Sequence, residues 1–357
     1  MLGPPQSGKT TLFHALTRGQ AESGSARGER VHMGSVPVPD SRLVRLRDLY
    51  TPKKYTPAKV DYIDVPAVEK PRGGERGGLS SLSALRDVDA FVLVVRAFED
   101  PSVPHFMTTV DPARDAAWLA GELLLEDLAV VEKRLEKIEK ALKVGKKPED
   151  PQEYEALRRI RDALESERPA RDAGLTLPQE RAIRGFQFFT LRPWIVVVNV
   201  DESALKEPEE SVVAAVRAKF PEPRPTVVAL SAKIEAELAA LPEAEAGEFM
   251  AMLGIEEPGL TRMIRLSYEV LGLVSFFTVG PDEVRAWTIR RDTAAPEAAG
   301  AIHSDLERGF IRAEVIAYDD LIGAETMARA RERGLLRTEG RDYRVRDGDI
   351  VNIRFSV

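Results

Sequence analysis

Residues 3–10 read Gly3-Pro4-Pro5-Gln6-Ser7-Gly8-Lys9-Thr10 and fit the phosphate-loop pattern G-x-x-x-x-G-K-[ST]. No other stretch of the chain restricts its fold as strongly. Such a loop joins the end of a buried strand to the start of a helix, which commits the chain to an α/β sheet. Gly3 and Gly8 let the backbone curl until successive N–H groups point at a phosphate. Residues 3–11 form the grip, with Gln6, Ser7 and Thr11 around Lys9, which reaches the β- and γ-phosphates. The Thr10 hydroxyl is placed to ligate the Mg²⁺ that travels with a nucleotide. Only Met1 and Leu2 precede the loop, too few for a strand of about five or six residues. The expectation is an upstream start that this sequence lacks; the alternative is a sheet whose first strand is truncated.

Strand-like runs follow at residues 60–65, 90–95, 194–199 and 226–230, separated by helical stretches. That alternation predicts a mostly parallel sheet with helices on both faces and ligands at the carboxyl ends of its strands. Between the second and third runs, Leu124, Leu128, Val131, Leu135, Ile138 and Leu142 step by four and three. This is a heptad seam. Lys143 through Pro151 contains Gly145 and Pro148 and reads as a reversal, after which Tyr154, Leu157, Ile160 and Leu164 share one face. The expectation is an inserted antiparallel helical hairpin. The division is then 1–121 with 192–273 for the nucleotide-binding domain, 122–191 for the hairpin, and 274–357 for a strand-rich tail.

Composition narrows the function classes. A chain of 357 residues with 43% hydrophobic and 31% charged residues is globular, and no apolar run is long enough to span a membrane. The absence of cysteine excludes disulfides, thiolate metal sites and a cysteine nucleophile, and makes the cytoplasm the expected location. His14, His32, His105 and His303 show no metal-ligand spacing. His303-Ser304-Asp305 has the letters of a catalytic triad, but neighbours in sequence cannot adopt its geometry. A net charge of -7 argues against whole-molecule attraction to nucleic acid, leaving Lys143, Lys146 and Lys147 at the hairpin tip as the local basic cluster.

Three short motifs follow the strands in the order a GTPase-type domain requires. Asp64-Val65-Pro66-Ala67 ends the first; an aspartate there serves the magnesium through water. Asn199-Val200-Asp201-Glu202 stands where guanine binders have N-K-x-D, and Ser231-Ala232-Lys233 follows the last strand as a base-contacting loop.

With these motifs the chain resembles the Obg-like ATPase (YchF) family of translation-associated proteins, over nearly its whole length. The resemblance also rests on Val36-Pro37-Val38-Pro39-Asp40, Val110-Asp111-Pro112, Ser231-Ala232-Lys233-Ile234-Glu235 and, in the tail, Glu283-Val284-Arg285-Ala286-Trp287-Thr288-Ile289. It implies a G domain with a helical insertion and a ubiquitin-like TGS domain. ATP is preferred over GTP, because Asn-x-x-Glu replaces Asn-Lys-x-Asp. Asn199, Val200, Glu202, Ser231, Ala232 and Lys233 then cradle the base, while Thr10 and Asp64 serve Mg²⁺. His105 takes the family's catalytic position, and Val68 stands where other GTPases carry a water-orienting glutamine. The ribosome or a ribosomal subunit is the implied partner, with RNA contact assigned to the hairpin or the TGS domain.

The departures lie in the switches. Gly28 aligns with a magnesium-binding threonine, Ala67 replaces a glycine, and residues 72–78 read Arg-Gly-Gly-Glu-Arg-Gly-Gly. These changes predict retained binding with slow or absent turnover. Two other readings stand beside the ATPase: a true GTPase, and a nucleotide-gated scaffold without hydrolysis.

Overall fold

The computed structural model describes residues 1–20, 22–26, 29–70, 79, 83–220 and 222–356. Gly28 and residues 72–78 lie outside them. In chain order the elements are α1 (Lys9–Thr17), β1 (Glu22–Ala26), β2 (Glu29–Pro37), α2 (Ser41–Tyr50), β3 (Lys54–Thr56) and β4 (Lys59–Asp64). Next come β5 (Phe91–Arg96), α3 (Pro112–Lys143), α4 (Pro151–Glu165), β6 (Trp194–Asn199) and β7 (Thr226–Leu230), then β8 (Leu273–Thr278), β9 (Glu283–Arg290), β10 (Phe310–Ala317), β11 (Arg337–Glu339) and β12 (Asp349–Phe355). Two compact units result: Met1–Gly34 with Asp61–Met263, and Ser35–Val60 with Ile264–Val357.

In the first unit, β5, β6 and β7 form a parallel sheet. Every residue of β5 and β6 is buried, as expected for central strands covered on both faces. Val196, Val197 and Val198 are fully enclosed, each contributing roughly 1.5–3 kcal/mol of burial free energy. Met1 and Leu2 lie beside β5: the Leu2 N–H donates to Val92 O (2.8 Å), and Leu2 O accepts from the Val94 N–H (2.8 Å). The Met1 amine donates to Ile63 O of β4, so these two residues occupy the place between β4 and β5.

α3 is one continuous helix. Asp111 caps it by accepting from the Arg114 N–H (3.0 Å), and Pro112 supplies a preset first turn. Its first half packs Ala116, Leu119 and Leu123 onto the sheet. Its second half packs Val131, Leu135 and Ile138 against Leu157, Ile160 and Leu164 of α4. The division expected at residue 122 therefore falls inside a helix that belongs to both the sheet and the hairpin. Asp150 and Pro151 start α4 by the same device. Among the described residues, no helix is long and apolar enough to cross a membrane.

The second unit holds a six-stranded sheet in the order β11-β10-β12-β8-β9-β3. Its β12–β8 and β3–β9 pairs are parallel, and its β8–β9, β10–β12 and β10–β11 pairs antiparallel. Residues 35–60, which the sequence reading groups with the nucleotide domain, here share a unit with the tail. β3 adds an edge to β9. The Arg42 guanidinium of α2 forks between Asp40 and Asp347 and lies over the Phe277 ring.

Candidate nucleotide site

The phosphate loop follows Leu2 directly and ends in α1, so its N–H groups open at the carboxyl edge of the β5–β6–β7 sheet. Two glycines are required by space. A Cβ on Gly3 would sit 2.6 Å from Ser7 Oγ and 2.7 Å from Val94 O. Gly8 caps α1 at φ +85°, and a Cβ there would lie 2.0 Å from Asn199 Nδ2. Left-handed backbone and this close approach both favour glycine. Gln6 also has positive φ, at 62°.

A cavity of about 490 Å³ opens over the loop, lined by Gln6, Ser7, Gly8, Lys9, Thr10 and Thr11 and, across from them, by Asp64 and Ala67. Lys9 and Asp64 are both nearly inaccessible to solvent, at 6% and 4% exposure. The Lys9 ammonium is shared between the Asp64 carboxylate and Val65 O. The Thr10 hydroxyl donates to the other Asp64 oxygen at 3.0 Å. A hydroxyl and a carboxylate that meet are hard oxygen donors of the type Mg²⁺ takes. Among the described residues no group of three or more His, Cys, Asp or Glu could hold a metal unaided.

Asn199, at the end of β6, is a brace. Its Nδ2 donates to Ser7 O (2.9 Å), and its Oδ1 accepts from the Ala232 N–H (2.9 Å). One buried amide thus ties the phosphate loop to the Ser231-Ala232-Lys233 loop, segments more than two hundred positions apart. The other base-side residues behave differently. The Val200 side chain is in the core and its N–H is spent on Leu230 O. Ser231 is buried, whereas Glu202 and Lys233 are exposed. Asp201 caps its own turn, accepting from the Ser203 hydroxyl (2.7 Å) and the Ala204 N–H (3.0 Å), which hold its carboxyl below the usual range.

His105 does not line the cavity. Its Nδ1 accepts from the Met107 N–H (3.1 Å), which leaves the ring proton on Nε2, 2.9 Å from Asp115 Oδ2. Both side chains are buried, and burial pushes the Asp115 carboxyl up despite the neighbouring Arg114. Val68 is also committed: its side chain is enclosed and its N–H donates to Gly3 O at 3.0 Å. The would-be triad is a helix start, with His303 Nδ1 accepting from the Asp305 N–H.

Several lining residues escaped the sequence reading: His32 from β2, and Phe98, Asp100 and Val103 from the loop after β5. That loop is held by Arg96, whose buried guanidinium donates to Phe98 O (2.9 Å) and Val103 O (2.9 Å) and lies over the Phe98 ring. An arginine closing an otherwise apolar strand was the available signal. Asp100 accepts from the Ser102 hydroxyl (2.6 Å) and N–H (2.9 Å), which keep it ionised. With Asp64 and Asp100 facing one lysine, the bare cavity is not cationic. A triphosphate there needs its own divalent cation.

Gly8→Ala tests the brace. We expect nucleotide affinity to fall about tenfold or more, since strain and the displaced Asn199 both act on the loop. Gly145→Ala is the control: its φ is +79° with nothing within 4 Å, so it carries the strain alone and should leave affinity unchanged. Equal titration curves for Gly8→Ala and the parent would remove the brace from the account.

Comparison with known proteins agrees with this architecture. Residues 273–356 match the family model YchF-GTPase_C, described as a protein of unknown function (DUF933). The "Ribosome-binding ATPase YchF" of Bacillus subtilis (strain 168) is 41% identical over 361 aligned positions, covering 100% of this chain and 98% of the relative. The protein of the same name from Escherichia coli O157:H7 is 37% identical with the same coverage. Among solved structures, the Schizosaccharomyces pombe "YchF GTPase" superposes with a TM-score of 0.81 at 30% identity, covering 99% of this chain and 96% of that one.

Proposed function

The chain belongs to the YchF family, and from that premise we propose that it binds Mg-ATP in preference to GTP, hydrolyses it slowly and works in association with ribosomes. The observation that carries the nucleotide part is the buried Lys9–Asp64 pair with the Thr10 hydroxyl on it, joined through Ser7, Gly8 and Asn199 to the loop at Ala232. Two hydrogen bonds of Asn199 tie the phosphate loop to the loop at Ala232.

Thr10 and Asp64 would hold the magnesium ion, which on binding neutralises phosphate charge. Lys9 then trades Asp64 and Val65 O for the phosphates. The preference for ATP is supported by what the base side lacks. A guanine reader needs a free carboxylate at the fourth motif position and a lysine at the second. Here Val200 is packed inward and Asp201 is tied to its own turn, leaving Glu202 one methylene too long for the guanine edge.

Slow turnover is supported by the committed state of the candidate groups. Val68 offers the cavity no polar group, and His105 is held against Asp115. For His105 to act, as the family resemblance implies, that pair must open. The ribosomal partner is carried by the names of the bacterial relatives; the exposed Lys143, Lys146 and Lys147 at the hairpin tip are the groups suited to RNA phosphate.

Calorimetric titration with Mg-ATP and Mg-GTP is the deciding experiment. ATP should bind about tenfold or more tightly, and Glu202→Asp should narrow the gap. Equal or tighter GTP binding would turn the assignment to a GTPase. Single-turnover hydrolysis should be slower than in a relative with both switches intact, and a matching rate would refute the slow assignment.

A further inference from the structure

A second cavity, of about 420 Å³, lies at the amino end of β6. Asn199 and the nucleotide site mark the carboxyl end of the same strand, five residues or about 17 Å away. The cavity's walls come from four segments that the sequence separates widely. Leu124 and Leu125 descend from α3, Leu164 and Pro169 from the end of α4 and beyond, and Phe220 and Pro225 from the stretch before β7. Leu125 is 61% exposed and leaves the cavity open to solvent on that side. The volume falls within the roughly 300–1,000 Å³ of small-molecule sites.

Two donor side chains, Trp194 and Arg171, border this cavity. Trp194 is 3% exposed, and its indole N–H is buried with no hydrogen-bond partner among the described residues, an unfavourable state for a buried donor. Arg171 stacks on the Trp194 ring, 4.3 Å from its centroid. One guanidinium nitrogen donates to Arg192 O (2.7 Å), yet among the described residues the group forms no ion pair. Its sequence neighbour Asp172 supplies the nearest opposing charge, and burial still lowers the Arg171 pKa. At the rim stand the exposed Lys219 and Glu167.

Apolar walls around a guanidinium that forms no ion pair among the described residues describe the complement of an apolar tail ending in an acceptor anion. We propose that this cavity is a binding site for a small monocarboxylate with an aliphatic tail. The tail lies along Leu124, Leu125 and Phe220, and the carboxylate meets Arg171. The nucleotide residues take no part in it.

The probe is decanoate, titrated into the full chain by calorimetry and by tryptophan fluorescence, with decanol as the uncharged control. Decanoate should bind one to one with an affinity on the order of tens of micromolar. Decanol and the Arg171→Gln variant should each bind or be bound at least about tenfold more weakly, the loss of one charge-assisted contact. Because Arg171 also supports the Trp194 ring, Leu125→Glu is the second variant. It sits at an exposed position, should fold normally as judged by unchanged Mg-ATP titration, and should repel decanoate. Absence of binding at millimolar decanoate would overturn the proposal. So would decanol binding as tightly as decanoate, or Leu125→Glu binding decanoate like the parent.

Discussion

Replacing Lys9 by methionine is expected to weaken Mg-ATP binding about a hundredfold or more, close to 3 kcal/mol. The ammonium is the one lysine or arginine charge lining the phosphate cavity among the described residues, and it is buried, so its field is poorly screened. Methionine preserves the length and apolar volume of the stem while deleting the charge. A second consequence follows from the partner left behind. Asp64 is buried and would keep only the Thr10 hydroxyl, and an uncompensated buried carboxylate costs roughly 3–5 kcal/mol. Thermal unfolding should therefore shift downward along with affinity, and the titration belongs at a temperature where circular dichroism shows a folded protein. Lys146→Met at the exposed hairpin tip removes the same formal charge and should leave both quantities unchanged. If Lys9→Met still bound Mg-ATP within about threefold of the parent, the loop would not be a phosphate grip.

Much of the site was legible because its letters answer to local mechanics. Gly8 must be glycine where φ is positive and Asn199 presses close, and the pattern G-x-x-x-x-G-K-[ST] encodes that need. β5 and β6 announced themselves as uninterrupted apolar runs, and the α3–α4 seam as a heptad spacing. What stayed hidden depends on partners far away in the chain. α2 has a short apolar stripe, Leu43 and Leu46, that names no neighbour. β3 is three residues long and pairs with β9 through its main chain. The Arg42–Asp347 contact joins positions 305 residues apart, and nothing in either neighbourhood points to the other. The grouping of residues 35–60 with the tail was for that reason invisible.

His105 shows the same limit at the site itself. The family resemblance implies a catalytic role for this loop histidine, but its orientation is decided by Asp115 on α3 and the Met107 N–H. The identity of a residue tells what chemistry it can do; which way it faces is settled by packing. Asp100 and Arg96 make the reverse case. Neither was singled out from the sequence, and the carbonyls gathered around Arg96 hold the loop whose Phe98, Asp100 and Val103 line the cavity.

The largest effect expected outside the nucleotide site is at Asp127, where α3 passes from the sheet to the hairpin. Its side chain is 3% exposed. One oxygen accepts from the Phe189 N–H (2.9 Å), the other from the Thr190 N–H (2.7 Å) and hydroxyl (2.7 Å). Thr190 in turn accepts from the Ala170 N–H (2.9 Å), so one carboxyl organises the segment that returns the chain to β6. Burial pushes this carboxyl up to about 6, against the pull of those hydrogen bonds. A folded pKa above the unfolded value of about 4 means the native state holds the extra proton between those limits. Stability from this group is thus full below about pH 4 and is lost as pH rises through about 6, a decline of roughly 3 kcal/mol. Asp127→Asn cannot titrate, so the difference in stability between parent and Asn variant should change across that window and be flat above it. Asp127→Ala strands two buried N–H groups and should cost about 3 kcal/mol. Because two units share the chain, the readout is hydrogen exchange in residues 186–192 rather than a global midpoint. Unchanged protection in Asp127→Ala would show that Phe189 and Thr190 are held by packing alone.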